Sequence, residues 1–225
     1  MRFLCYKNNK MKDIINICKP FSMISTDRFT TNIQAVIKVE NDNIQGDIVE
    51  IGVWKGGSIL SMILAYERLG KQTREFHLYD TFEGMTQPTP IDKDLNNWDA
   101  KTLLLNSEFF KCICPYDSVK NTIETYSKYP KNKIFYHVGD ILKNTSYPEK
   151  IAILRLDTDW YESTKFELDN FYQYVSPGGI VIIDDYGHWQ GCKKAVDEFL
   201  SKHPDIILNR SDYTGVYFIK PPINI

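Results

Sequence analysis

At 225 residues, with 43% hydrophobic and 25% charged residues, the chain has the length and balance of one soluble globular domain spanning 1–225. A net charge of −2 argues against a nucleic-acid binder, and no apolar run is long enough for a membrane span. Residues 1–10 contain no signal-peptide core, and the five cysteines show no paired metal spacing around Cys112 and Cys114, so a cytoplasmic protein with idle thiols is expected.

In chain order, residues 1–45 read as a peripheral helical extension, with the helical pattern in 11–45. Thr26 or Asp27 is expected to cap a helix carrying Phe29, Ile33, Val36 and Ile37. A β-branched run from Asp47 predicts the first strand, ending in glycines at 52, 56 and 57, and a helix over 58–69 follows, stopped by Gly70. Residues 75–79 predict the second strand, with Asp80 at its end. Residues 83–115 follow no regular pattern and read as a lid or binding insert, with Trp98, Phe109 and Phe110 as its aromatics. A helix near 117–129, a strand at 134–138 ending in Gly139-Asp140, and a strand at 151–156 ending in Asp157-Thr158-Asp159 come next. The helix over 162–174 is expected to stop at Ser176-Pro177-Gly178-Gly179, ahead of a strand at 180–183 that ends in Asp184-Asp185. A helix over 192–202 precedes an expected antiparallel pair at 206–208 and 215–219. The nearly unbroken apolar runs at 151–156 and 180–183 suit central parallel strands covered on both faces. The expected class is therefore α/β, one Rossmann-like domain whose mostly parallel sheet ends in an antiparallel strand.

The first chemical signal is the turn after the first strand. Its spacing is Glu-x-Gly-x-x-x-Gly, from Glu50 through Gly52 to Gly56. A dinucleotide turn seats a pyrophosphate on a helix N-terminus, and an acid there repels phosphate, so a nicotinamide dehydrogenase is disfavoured. The acid suits a cationic ligand such as the sulfonium and amino groups of S-adenosylmethionine. Asp80 ends the second strand where α/β nucleotide sites hold a ribose diol, although a turn aspartate would look the same.

The second signal is a set of acids at neighbouring strand ends: Asp157 and Asp159 on one, Asp184 and Asp185 on the next. Strands about 4.8 Å apart gather these carboxylates at one rim. Crowded like charges favour a cation between them, and an oxygen-only set suits Mg²⁺. Isolated strand-end aspartates more often cap loops; several on the rim that also holds the glycine turn favour a metal.

Several linked blocks resemble the macrocin O-methyltransferase family: 46–57, Asp80-Thr81-Phe82-Glu83-Gly84, 154–164, and 176–186, with 192–199 as its downstream helix and 21–25 as its N-terminal segment. The resemblance runs from about residue 20 to 220 and departs mainly in the insert, 86–115. It implies an S-adenosylmethionine methyltransferase fold and a Mg²⁺-dependent sugar O-methyltransferase of antibiotic biosynthesis, with a small-molecule acceptor and a homo-oligomeric state. It places the methionine end of the cofactor at Glu50, Gly52 and the following turn, Val53, Trp54, Gly56 and Ser58. It places the ribose at Asp80, beside Thr81 and Phe82, the adenine near Gly139 and Asp140, and the metal on Asp157, Asp184 and Asp185, with Asp157 also against the cofactor.

Methyl transfer to a hydroxyl needs a base. Asp159, two residues beyond Asp157, is the candidate; Asp157 itself and His188 are alternatives. Two other functions stay open: a catechol-type methyltransferase with an aromatic slot of Trp98, Trp160 and Trp189, and a protein that binds S-adenosylmethionine without catalysis.

Overall fold

The computed structural model describes residues 8–222; residues 1–7, which include Cys5 and most of the segment read above for a leader, lie outside it. Its strands are β1 (Asp47–Ile51), β2 (Phe76–Asp80), β3 (Ile134–Val138), β4 (Ile151–Leu156), β5 (Val175–Ile183), β6 (Asn209–Arg210) and β7 (Val216–Ile219). They form one sheet in the order β3-β2-β1-β4-β5-β7-β6. The strands from β3 to β5 are parallel, and β7 and β6 run antiparallel. The order reverses between β1 and β4, so the crevice beyond the C-terminal ends of these two strands is the place where open α/β sheets bind ligands.

Successive strand residues point to opposite faces, and each face has its own apolar layer. Ile48 and Ile153 pack with Ile33 and Val36 of α2 (Thr26–Asn41) and Ile59 and Ile63 of α3 (Gly57–Arg68), preceded by α1 (Asn8–Cys18). Val49, Leu154 and Val181 pack instead with Leu168 and Phe171 of α6 (Tyr161–Phe171) and Val196 and Phe199 of α7 (Gln190–Ser201). No helix among the described residues is long and apolar enough to cross a membrane.

Four local expectations are corrected. The cap of α2 is Ser25, whose Oγ accepts from Arg28 N at 3.1 Å; Thr26 and Asp27 lie inside the first turn, where Asp27 complements the helix dipole. The Ser176-Pro177-Gly178-Gly179 segment does not interrupt the chain between α6 and the strand but lies within β5, at a register shift against β4 between Ile151 and Ile153 that spares proline a ladder hydrogen bond. Residues 206–208 are not a strand, because Ile206 N turns back to His203 O at 3.1 Å; β6 starts at Asn209. The insert contains a helix, α4 (Ala100–Asn106), whose seven residues are too few to show a period; Asp99 caps it by accepting from Thr102 N at 3.0 Å. A further helix, α5 (Tyr116–Tyr126), closes the insert against the first apolar layer through Val119 and Ile123.

Candidate active site

The glycine turn sits where β1 meets the end of β4. Gly52 has φ +85°, and a Cβ there would lie 1.9 Å from the Asp157 carbonyl oxygen, so only glycine lets the two strand ends approach. Asp80 fixes the turn from the neighbouring strand. Its Oδ2 accepts from Val53 N at 2.6 Å and Trp54 N at 2.9 Å, and its Oδ1 from Phe82 N at 2.8 Å. Trp54, Cys112 and Asp159 line the cleft above this turn with left-handed φ values of +46°, +50° and +67°. Strained backbone of this kind collects at functional sites.

The cleft encloses about 560 Å³, the size of a small-molecule site. Gly52, Val53, Trp54, Ser58, Asp80, Thr81 and Gly139 line it, as do Asp157, Asp159, Asp184, Asp185 and His188. Gly56, Phe82 and Asp140 do not line it. Gly56 is the left-handed cap of α3, Phe82 is buried in the core, and Asp140 accepts from Leu142 N at 3.0 Å in the turn after β3.

Glu50 is also absent from the lining, which corrects its expected position facing a cationic ligand. Glu50 shares a sheet face with Ile48 and stands in register with Arg155 of β4. Both side chains are 0% exposed, with Oε1 2.8 Å from the guanidinium. The cation that Glu50 meets is thus Arg155. Arg155 extends to Asp157 at 2.5 Å and to Asp184, so one buried arginine lies beneath the acid cluster. Arg155→Met should destabilise the protein by about 3–5 kcal/mol, because it leaves buried carboxylates uncompensated. Adding Glu50→Gln should recover part of that loss by removing one of them. Urea unfolding reads both variants; strict additivity of the two would mean that the pair is not coupled.

Asp157, Asp184 and Asp185 bring carboxylate oxygens within 4.8 Å of one another. Asp184 meets Arg155 through Oδ1 and Arg28 of α2 through Oδ2, and Arg28 Nε reaches Asp212 at 3.0 Å. Asp185 Oδ2 is buried with no partner. Burial first, then the neighbouring carboxylates, push the Asp185 carboxyl well above its ordinary range. Burial pushes Asp159 up to about 7, while hydrogen bonds to Asp185 and to the Trp189 indole pull against it. An orphaned buried oxygen among crowded oxygen donors fits a hard divalent cation. The Nδ1 of His188 is 3.5 Å from the Tyr213 hydroxyl, and burial first pulls its pKa down.

Met23, Leu103, Leu104, Phe109, Phe110 and Trp160 supply the apolar part of the lining. The insert that supplies much of it is anchored. Buried Asp92 accepts from Tyr161 N at 2.8 Å, and a Cβ at Gly191 would lie 1.8 Å from its Oδ1. The tryptophan slot that the alternative catechol-type reading needs is not formed. Trp98 is 61% exposed outside the lining, and Trp160 and Trp189 meet edge to face at 73°. The four described cysteines are free.

Sequence reasoning missed Arg155, Arg28 and Asp212. Arg155 had a signal, a charge inside an otherwise apolar strand. Arg28 had none, since its partner Asp184 lies 156 residues away.

The profile of the family described as Macrocin-O-methyltransferase (TylF) matches residues 9–220. Demethyldecarbamoylnovobiocin O-methyltransferase of Streptomyces niveus is 33% identical over 201 residues, covering 88% of this chain and 74% of the relative. A tetracenomycin-C 4'-O-methyltransferase of Streptomyces olivaceus, named for a substrate bearing a 2,3-dimethoxy-alpha-L-rhamnosyl group, is 30% identical with the same coverage. Among solved structures, the O-methyltransferase NovP superposes with a TM-score of 0.79 at 29% identity, covering 90% of this chain and 83% of that one.

Proposed function

The chain belongs to the macrocin O-methyltransferase family and is an S-adenosylmethionine-dependent O-methyltransferase; from that premise we propose that it methylates a sugar hydroxyl of a glycosylated small molecule with the help of Mg²⁺. The observation that carries this reading is the acid cluster with its orphaned Asp185 oxygen, in the same cleft as the glycine turn.

In this reading the methionine end of the cofactor lies along the turn at 52–58, the ribose beside Asp80 and Thr81, and the adenine toward Gly139 and Ile141. Asp157, Asp184 and Asp185 hold the ion. When bound, S-adenosylmethionine supplies an electrophilic methyl group, and Mg²⁺ acidifies and orients an acceptor hydroxyl. Arg155 and Arg28 keep the Asp157 and Asp184 carboxylates in place. Asp159 would take the proton of the acceptor hydroxyl, so that its oxygen could receive the methyl group as the sulfonium S–CH3 bond breaks and S-adenosylhomocysteine leaves. The apolar lining of Met23, Leu103, Leu104, Phe109 and Phe110 covers the acceptor and excludes water. The relatives' names support the sugar: one acts on a rhamnosyl tetracenomycin, and another on mycinamicin III at a 3'' position.

Incubation with methyl-labelled cofactor, Mg²⁺ and a panel of deoxysugar glycosides and catechols, read by mass spectrometry, should label a sugar hydroxyl. Label confined to catechols, or no label on any glycoside, overturns the sugar reading.

A further inference from the structure

A second cluster lies at the opposite end of the parallel strands, where β1 and β2 begin. Asp47 opens β1, Glu75 precedes β2, and His77 is the second residue of β2, beside Val49. His77 Nε2 lies 3.7 Å from Asp47 Oδ2 and 3.9 Å from Glu75 Oε2. One ligand atom from each residue falls within 4.8 Å of the others. The 3.7 and 3.9 Å separations are too long for hydrogen bonds.

His77 is only 9% exposed, and its Nε2 is buried without a partner. The other ring nitrogen, Nδ1, lies 3.1 Å from Nε2 of His137. Two tautomers satisfy that contact. In one, His77 donates from Nδ1, and the Nε2 lone pair then faces two carboxylates. In the other, His137 donates, and the Nε2–H of His77 points at acceptors beyond its reach. Neither arrangement gives Nε2 a protein partner, and a cation between the nitrogen and the carboxylates would supply one.

The rest of the cluster is built. Asp47 Oδ1 accepts from Glu75 N at 3.0 Å, which leaves Oδ2 turned toward the imidazole. The His77 ring stacks on Phe135 at 5.1 Å and 15°, so its direction is fixed. A ligating histidine that donates its second N–H to a neighbour is the usual support of a metal site.

We propose that Asp47, Glu75 and His77 form a second metal site, for a borderline divalent ion of the Zn²⁺ type, with His137 as its positioning residue. One imidazole and two carboxylates select such an ion over Mg²⁺, which prefers oxygen alone. The site is remote from the cleft, and the ion clamps the starts of β1 and β2 together.

The test uses the full-length protein with Zn²⁺ as the probe. The Asp185→Asn variant removes one carboxylate of the cleft cluster and leaves the arginine pairs of Asp184 intact. With only four histidines in the chain, the imidazole nitrogens are readily assigned by long-range ¹H–¹⁵N correlation. One equivalent of Zn²⁺ should shift His77 Nε2 in both wild type and the cleft variant. His77→Gln should lower retained zinc by one equivalent, as should Glu75→Gln if the first variant does not fold. His137→Phe should weaken binding about 10–100-fold. An unmoved His77 signal, or equal zinc retention in wild type and in the His77 and Glu75 variants, overturns the proposal. Because no arm reads methyl transfer, failure here is separable from failure of the function proposed for the cleft.

Discussion

Asp159→Asn is expected to lower kcat for methyl transfer by about 10²–10⁴-fold, the contribution of a positioned general base, and to leave cofactor affinity unchanged. At about 1.36 kcal/mol per tenfold, this is roughly 2.7–5.4 kcal/mol of barrier. The substitution tests basicity rather than shape. Asp159 has φ +67°, a left-handed backbone that asparagine tolerates better than most residues, so the loop should keep its path. The amide is nearly isosteric with the carboxyl and keeps an acceptor oxygen. What it cannot do is take a proton. Single-turnover transfer of labelled methyl reads the chemical step, and calorimetry with S-adenosylhomocysteine reads binding. A loss below tenfold would remove Asp159 as the base, and a parallel His188→Gln variant would show whether the imidazole near Tyr213 carries the proton instead.

The strand-end acids were legible in the sequence because consecutive parallel strands pair in register. Leu156 stands against Ile183, so the residues after each, Asp157 and Asp184, must meet. The direction of Glu50 was not read correctly, although its signal lay in the same strand. Strand period places Glu50 on the face of Ile48 and away from Val49 and Ile51, and the register pairs it with Arg155. A charge inside each of two adjacent buried strands points to a buried ion pair before it points to a ligand. The Arg28 contact was illegible for a different reason. It joins an N-terminal helix to the rim of β5, and Ser25 and Arg28 both reach Asp212 near the C-terminus, at 2.6 and 3.0 Å. Local periodicity carries no information about such closures. The helix within the insert was too short for a period to emerge, and its anchor, Asp92, looked like any loop acid until the close approach of Gly191 fixed its place.

Asp185→Asn should sharply lower turnover and still raise thermal stability in chelator, a pair of effects that a purely structural acid does not produce. Asp184 is the less informative choice. Both of its oxygens meet arginines, so Asp184→Asn also leaves Arg28 and Arg155 short of a partner and costs stability. Asp185 has no arginine, and its Oδ2 is buried without a partner. Without an ion, burial and the neighbouring Asp157, Asp159 and Asp184 disfavour the ionised form of Asp185, and the neutral amide of asparagine removes that cost. A gain on the order of 1 kcal/mol raises the Tm by about 2–4 °C in a protein of this size. With Mg²⁺ present the sign should reverse, because wild type gains the binding energy of the ion and the variant gains less of it. Turnover should fall at least about 10²-fold in the variant, as it should in wild type treated with chelator, while S-adenosylmethionine binding persists in both. Excess Mg²⁺ should restore part of the variant's rate if the lost ligand mainly weakened affinity. Full turnover of wild type in excess chelator would sink the metal mechanism, and the acids would then be loop anchors that Arg28 and Arg155 hold in place.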